Sequence, residues 1–392
     1  MGRRLWSDRW FKRFMTAGGL GVIVAISTIF FYLASVVIPL FLPPTIDQAT
    51  SYAVPGESEQ PSVLLQADDR LEALVRVQGD GQAVFAEFFS GKPLAQLALN
   101  VPQGAQVRSR AAADRAASTV ALGLSDGTAV VAKVGFKTSF DAEARRVIEP
   151  MVDYPVGEAP VKVDPEGRAL QRLAVQTSTD GTTLAALTDD NRLWVSGIAV
   201  ERNPITGAET VDARSAQIDP APPQVRDILI EFKQREMFVL SGERELWRYD
   251  ISDKSNPQLL EKVELAPAGE RVTALTMLSG GFSIIVGTDR GNLSQWFPVR
   301  EEGTRFKLTH IRDFKPMPAA IQVLEPEYHR KGFMAGDAQG HLGSYFATSK
   351  RLLFQLKLSD APIVHLGYPP LGNGYMAQDA QGRLHVAHVE ND

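Results

Sequence analysis

The chain has 392 residues, a net charge of −5 and no cysteine. The missing cysteine excludes a disulfide framework, a thiolate metal centre, a Cys nucleophile and a lipid anchor on an N-terminal Cys. The charge is unevenly divided: residues 1–44 carry net +4 and the remainder −9, and an acidic body argues against nucleic acid as a partner and against a field that concentrates phosphate.

The chain opens on a basic tail at 1–13, with Arg3, Arg4, Arg9, Lys12 and Arg13. From Phe14 to Ile46 there is then no charged side chain, a run of 33 residues. A hydrocarbon core needs about 20 apolar residues to be crossed, whereas the apolar stretch of a cleaved signal peptide has about 7–15. Residues 14–42 are therefore expected to form an uncleaved transmembrane signal anchor. Positive flanks stay on the cytoplasmic side, which puts the N-terminus inside and the body outside the cytoplasm. Trp6, Trp10 and Tyr32 are read as ordinary apolar filling. A linker at 43–60 leads into a body at 61–392. Zero cysteine in an exported body suits a bacterial periplasm, where stray thiols are oxidised.

One unit recurs along the body: an apolar strand, a turn rich in Asp and Gly, then a second strand. It reads ALVRVQGDGQAVF at 73–85, VALGLSDGTAVVAKV at 120–134, LAALTDDNRLWVSGI at 184–198, MFVLSGERELWRYDI at 237–251, SIIVGTDRGNLSQWF at 283–297, GFMAGDAQGHLGSYF at 332–346 and GYMAQDAQGRLHVAH at 374–388. Asp, Asn and Gly tolerate the positive φ of a tight hairpin, and the flanks alternate or run apolar as half-buried and buried strands do. The leucines after the later turns, from Leu193 to Leu384, are spaced 53, 47, 49 and 42 apart. Units of about 40–50 residues with four short strands are the signature of propeller blades.

Inner strands are expected at Ser62–Ala67, Arg172–Thr177, Asp227–Glu231, Val272–Met277, Ala320–Leu324 and Ile363–Leu366. Outer strands are expected at Leu94–Leu99, Arg146–Pro150, Thr210–Ala216, Leu259–Leu265, Phe306–Ile311 and Leu352–Leu358. The long spacing before the third unit is assigned to a Pro-rich connection with Pro155, Pro160 and Pro165. The expected fold is all-β, a seven-bladed β-propeller of the WD40 or quinoprotein kind, preceded by a single transmembrane helix. A two-layer sandwich does not produce seven hairpins at this period. The last blade lacks an outer strand, which has two possible sources: residues near Ser51–Val54, or chain that would follow residue 392.

No catalytic constellation is visible. Gly-x-Ser-x-Gly, a phosphate loop and His-Glu-x-x-His are all missing, and no catalytic, cofactor-binding or metal-binding residue is assigned. The six histidines, His310, His329, His341, His365, His385 and His388, fall in the last quarter of the chain. They are read as surface or turn residues. His385 and His388 point to opposite faces of a strand, and His341 follows a hairpin Gly. The turns DDNR (189–192) and TDRGN (288–292) lack the ligand pattern of a calcium loop. Trp194, Trp247 and Trp296 follow the hairpin leucines in three successive units and are expected to pack, mostly buried, between blades.

The N-terminal segment RWFKRFMTAGGLGVIVAISTIFFYLASVVIPLF, with Ala-Gly-Gly-Leu and Phe-Phe-Tyr-Leu-Ala, resembles the start of the long-form permease of the bacterial phosphate-specific ABC transporter. In that family a single anchor and a large extracytoplasmic propeller-like region precede the permease bundle. The multi-helix bundle is absent here, so the chain alone conducts no phosphate. The missing strand of the last blade favours a truncated permease over a separate subunit. The resemblance implies an inner-membrane protein with a periplasmic body, no enzymatic activity and no cofactor. Its partners would be the permease core, the ATPase and the solute-binding components of a phosphate importer. An envelope-assembly scaffold that holds clients by β-strand addition is the rival expectation. A quinone-dependent dehydrogenase is disfavoured, because its ring of polar groups and stacking tryptophans is not recognisable.

Overall fold

The computed structural model describes residues 2–38, 45–113, 118–179, 181–202, 209–301, 306–327, 331–370 and 374–390. Helix α1 runs from Gly2 to Val37. Its stretch Trp10–Val37, 28 residues long and apolar, has the length and composition to cross a membrane, and at 1.5 Å per residue it measures about 42 Å.

Strand β1 (Thr45–Ala53) comes next in the chain. Blade one is then β2 (Ser62–Ala67), β3 (Ala73–Gln78), β4 (Gln82–Glu87) and β5 (Pro93–Ala98). Blade two is β6 (Val107–Ala112), β7 (Thr119–Leu124), β8 (Thr128–Phe140), β9 (Arg146–Asp153) and β10 (Val161–Lys162). Blade three is β11 (Leu170–Ser178), β12 (Gly181–Thr188), β13 (Leu193–Arg202) and β14 (Glu209–Gln217). Blade four is β15 (Val225–Ile230), β16 (Glu236–Ser241), β17 (Glu245–Asp250) and β18 (Gln258–Glu264). Blade five is β19 (Val272–Met277), β20 (Ile284–Thr288), β21 (Leu293–Arg300) and β22 (Phe306–Asp313). Blade six is β23 (Ile321–Pro326), β24 (Gly332–Asp337), β25 (His341–Phe346) and β26 (Arg351–Lys357). Blade seven is β27 (Ile363–Gly367), β28 (Gly374–Asp379) and β29 (Arg383–Glu390), with β1 as its outer strand. The seven sheets make a seven-bladed β-propeller, and all seven recurrent units are the middle hairpins of blades.

Two segments differ from the sequence expectation. The inner strand of blade two, β6, carries the sequence VRSRAA; its arginines and alanines give no apolar alternation to read. The Pro-rich connection after β9 is also more than a linker. Its Val161 and Lys162 pair with Ala129 and Thr128 at the start of β8, while β9 pairs with the far end of that long strand. Val156, Val161 and Val163 are buried there. Blade two therefore shares its outer position between two segments.

The core lies between blades. Ile228, Met237, Val239, Trp247 and Tyr249 of blade four meet Ala185, Leu193 and Val195 of blade three. Corresponding clusters join blades one and two, two and three, four and five, five and six, and seven and one. This explains the Gly in the second strand of blades five and six. A Cβ on Gly287 lies 2.6 Å from the Ile321 side chain of the next blade, and one on Gly336 lies 2.7 Å from Ile363. An isoleucine fills the space that glycine leaves.

Blade seven closes through the N-terminal strand β1. Where β1 leaves the blade, Val54 N–H donates to Gly382 O at 2.8 Å. The connection to blade one is then held from inside. Arg76, fully buried, donates from Nη1 to Pro55 O (2.8 Å) and Glu57 O (3.0 Å), from Nε to Ser62 Oγ (2.7 Å), and from Nη2 to Gln60 O. Ser62 Oγ bonds in turn to Gln378 Oε1 of blade seven. Desolvation pushes the Arg76 guanidinium down to about 10 against the opposing charge of Asp80, which leaves it protonated at neutral pH.

Two substitutions test this construction. Arg76→Met strands the carbonyls of Pro55, Glu57 and Gln60 without their donor, and the expected loss is about 3–5 kcal/mol. Trp247→Ala empties the seam between blades three and four at a similar cost, about 3–5 kcal/mol. Urea unfolding of the full chain measures both. A loss below about 1 kcal/mol for Arg76→Met, within the range of an ordinary surface change, contradicts the closure described here.

Candidate functional site

All seven inner strands carry a register shift at the same place, for example between Ser62 and Leu64, Val225 and Asp227, and Ile363 and His365. A bulge adds one residue and re-aims the side chains that follow. Three residues beyond the first bulge position, the side chain packs between blades in six of the seven strands: Leu65, Leu173, Ile228, Leu275, Leu324 and Leu366 are buried. The neighbours on either side line the axis. The resulting channel encloses a cavity of about 350 Å³ to which all seven inner strands contribute.

The cavity wall is mixed: apolar side chains alternate with the polar groups Arg110, Gln176, Asp227, Thr276, Glu325 and His365, and polar and apolar atoms share its surface almost evenly. Arg110 Nε donates to Gly79 O at 2.8 Å. Asp227 accepts from the Ile228 N–H at 2.9 Å. Desolvation pushes its carboxyl up to about 6, against that hydrogen bond and the charges of Arg172 and Arg226. A concave cavity with convergent polar groups is a common form of a binding site. Of these wall residues only His365 belongs to the histidines singled out by sequence. The others were missed because the bulge, which the sequence does not reveal, decides which side chains face inward.

Elsewhere, polar clusters lock turns. Asp337 Oδ1 accepts from Gln339 N–H (2.9 Å) and His341 N–H (2.8 Å), and the His341 ring sits 2.9 Å from Oδ2. Asp379 repeats the arrangement with Gln381 N–H (3.0 Å) and Arg383 N–H (2.9 Å). It also accepts from Ser359 Oγ at 2.6 Å and contacts His385 Nε2 at 3.1 Å. Burial works to raise the Asp379 carboxyl, but Ser359, the Arg383 amide and His385 outweigh it and hold the pKa low. The carboxylate stands between hydroxyl and imidazole, so the His385 ring binds Asp379 rather than Ser359 and the trio anchors the turn.

His385 is thus buried against Asp379, a correction to its reading as a surface or turn residue. His310 is exposed, 2.8 Å from Asp313 and edge-on to Trp296. His388 is half-buried, and His329 lies outside the described residues. In the DDNR turn, Asp190 is held below the usual carboxylate range, first by the Thr188 hydroxyl and then by Arg192. In TDRGN, Asp289 accepts from the Arg271 N–H at 3.0 Å. Among the described residues no group of three or more His, Asp and Glu is placed to hold a metal.

The three tryptophans all pack into the seam with the preceding blade; their cross-strand partners within their own blades are Ala186, Val239 and Ile284. Only Trp247 is buried, with its Nε1 donating to Glu245 at 2.6 Å and Lys262 3.5 Å above its ring. Trp194 and Trp296 are half-buried. The expectation of interblade packing holds for all three and that of near-complete burial for one. Trp296 sits two residues further along its strand, counted from the hairpin leucine, than the other two.

The Asp227 environment has a pH signature. Its folded-state pKa lies above the unfolded value of about 3.9, so the ionised form opposes folding. That cost is absent below about pH 4 and complete above about pH 6. Asp227→Asn removes it. The variant should gain on the parent by about 1 kcal/mol between pH 4 and pH 7, the shift being discounted because the channel wall is partly solvated. Urea midpoints at the two pH values measure the difference, and a gain at pH 4 only contradicts the assignment.

No family model matches the sequence, and no curated protein matches it. Among solved structures the chain is similar to the β-propeller domain of Cps50 (Swd1) from Myceliophteria thermophila, with a TM-score of 0.56 and 10% sequence identity over 89% of this chain and 100% of that one. At that identity the likeness shows the fold alone, a WD40-like propeller.

Proposed function

We propose that this chain is a membrane-anchored, non-catalytic propeller whose work is protein–protein docking outside the cytoplasm. One observation carries the reading. A 28-residue apolar helix long enough to cross a membrane, behind five basic residues, precedes a propeller, and propellers are suited to protein–protein interaction. The basic flank directs the N-terminus to the cytoplasm and the propeller to the other side of the inner membrane.

The finer reading is a module of a phosphate ABC importer, contacting its permease core, ATPase or solute-binding component. It is supported by the resemblance of the N-terminal segment. The acidic body, net −9 after residue 44, suits contact with proteins better than capture of the anion itself. The rival, an envelope-assembly scaffold, is favoured by the seven exposed blade edges, where an extended client strand can pair.

Fusing a reporter that works only outside the cytoplasm after Asp392 tests the topology, and an active reporter is expected. A reporter that is active only in the cytoplasm refutes the anchor. Affinity purification of the full chain from membranes that express a phosphate importer tests the partner. Importer components are expected to co-purify, whereas recovery of outer-membrane assembly factors alone moves the assignment to the scaffold.

A further inference from the structure

The two ends of the propeller differ in chemistry. One end, the hairpin end, carries the connections from first to second strand of every blade and those from third to fourth strand of blades one to six. The other, the turn end, carries the tight Asp-Gly turns and the connectors between blades. At the turn end an Asp or Glu stands in or beside every tight turn, those of blades six and seven (Asp337 and Asp379) being buried, and the connectors add Glu57, Glu59, Glu158, Glu166, Asp219 and Asp360. Acidic residues there clearly outnumber basic ones. At the hairpin end the two signs are nearly balanced among the described residues.

Exposed aromatic surface follows the opposite distribution. Five phenylalanines of the propeller are exposed among the described residues, and four of them, Phe140 (69%), Phe232 (41%), Phe282 (52%) and Phe306 (53%), lie at the hairpin end. Phe140 caps the long β8–β9 hairpin. Phe232 and Phe282 stand in neighbouring connections, with Lys233 Nζ 5.1 Å from the Phe282 ring. Exposed aromatic rings beside a lysine, on a face whose charges nearly balance, are the composition that settles at the boundary of headgroups and acyl chains. An acidic face is repelled by anionic lipid.

Chain connectivity selects the same end. β1 is the fourth strand of blade seven, and a fourth strand begins where the third ends, at the hairpin end. The chain enters β1 at Thr45, eight residues after the helix ends at Val37, a tether of at most about 29 Å.

We propose that the hairpin end of the propeller is a lipid-docking face, with Phe140, Phe232 and Phe282 at the headgroup boundary and the acidic turn end directed away for protein partners. The proposal rests on the reading of residues 10–37 as a membrane anchor. Because the chain has no cysteine, single labels test it directly. Phe140→Cys, Phe282→Cys and Asp360→Cys variants of the full chain each carry an environment-sensitive fluorophore. They are reconstituted in phosphatidylethanolamine–phosphatidylglycerol vesicles containing a nitroxide-labelled lipid.

Quenching at positions 140 and 282 about twofold or more above that at 360 is the expected result for a face held at the headgroups. Co-flotation with the vesicles reports the anchor independently. Flotation with equal quenching at all three positions, or with quenching at 360 alone, overturns the lipid-docking face and leaves the anchor standing. Loss of flotation overturns both.

Discussion

Ring closure is the constraint on which the rest of this structure depends. Each blade contributes one face to each of two seams, so no blade is stable until both neighbours are in place. The last seam forms only when β1, from the N-terminal side of the propeller, lies against β29. A charged side chain at the centre of that junction is an unusual solution, since a buried guanidinium is costly unless its donors are satisfied. Arg76 satisfies them with the carbonyls of the chain that connects β1 to β2. The same interaction therefore neutralises the cost of burying the charge and shapes the closing loop.

A second buried guanidinium plays a related part further round the ring. Arg248 bonds Glu236 through Nε and Nη2 at 2.8 and 2.6 Å, and Glu261 through Nη1 at 2.7 Å. It also donates to Phe306 O of the next blade at 3.1 Å. Desolvation lowers the basicity of this group, but the two carboxylates outweigh it and raise the pKa. Fork-shaped pairing of this kind fixes geometry as well as charge. It ties three strands of blade four together, and its hydrogen bond to the Phe306 carbonyl fastens them to blade five.

These features bear on function through the surfaces they leave free. The seams consume most of the apolar side chains, and the turn anchors consume many of the acidic ones. What remains is a small channel, an acidic end and an end with exposed phenylalanines. None of these is a constellation of nucleophile and base, and each is suited to binding. A rigid ring presenting different chemistry at its two ends can face a membrane on one side and a protein on the other without any internal motion.

The repeat was legible in the sequence because tight turns demand Asp, Asn or Gly, and because buried strands demand apolar runs; both requirements are local. The hairpins of all seven blades and the apolar helix followed from those rules alone. The sequence could name two sources for the strand that completes blade seven, but choosing β1 required knowing which ends meet. It missed β6, whose VRSRAA pattern carries no apolar period, and it passed over the channel residues, because a bulge in each inner strand decides which side chains face the axis. Arg76 looked like any other charged residue on an alternating strand, and only its place beneath the closing loop makes it structural. Local conformational preference is written residue by residue, and the sequence determined it. Closure, the inward-facing set and the chemistry of the two ends arise from contacts between residues hundreds of positions apart, and the tertiary structure alone decided them.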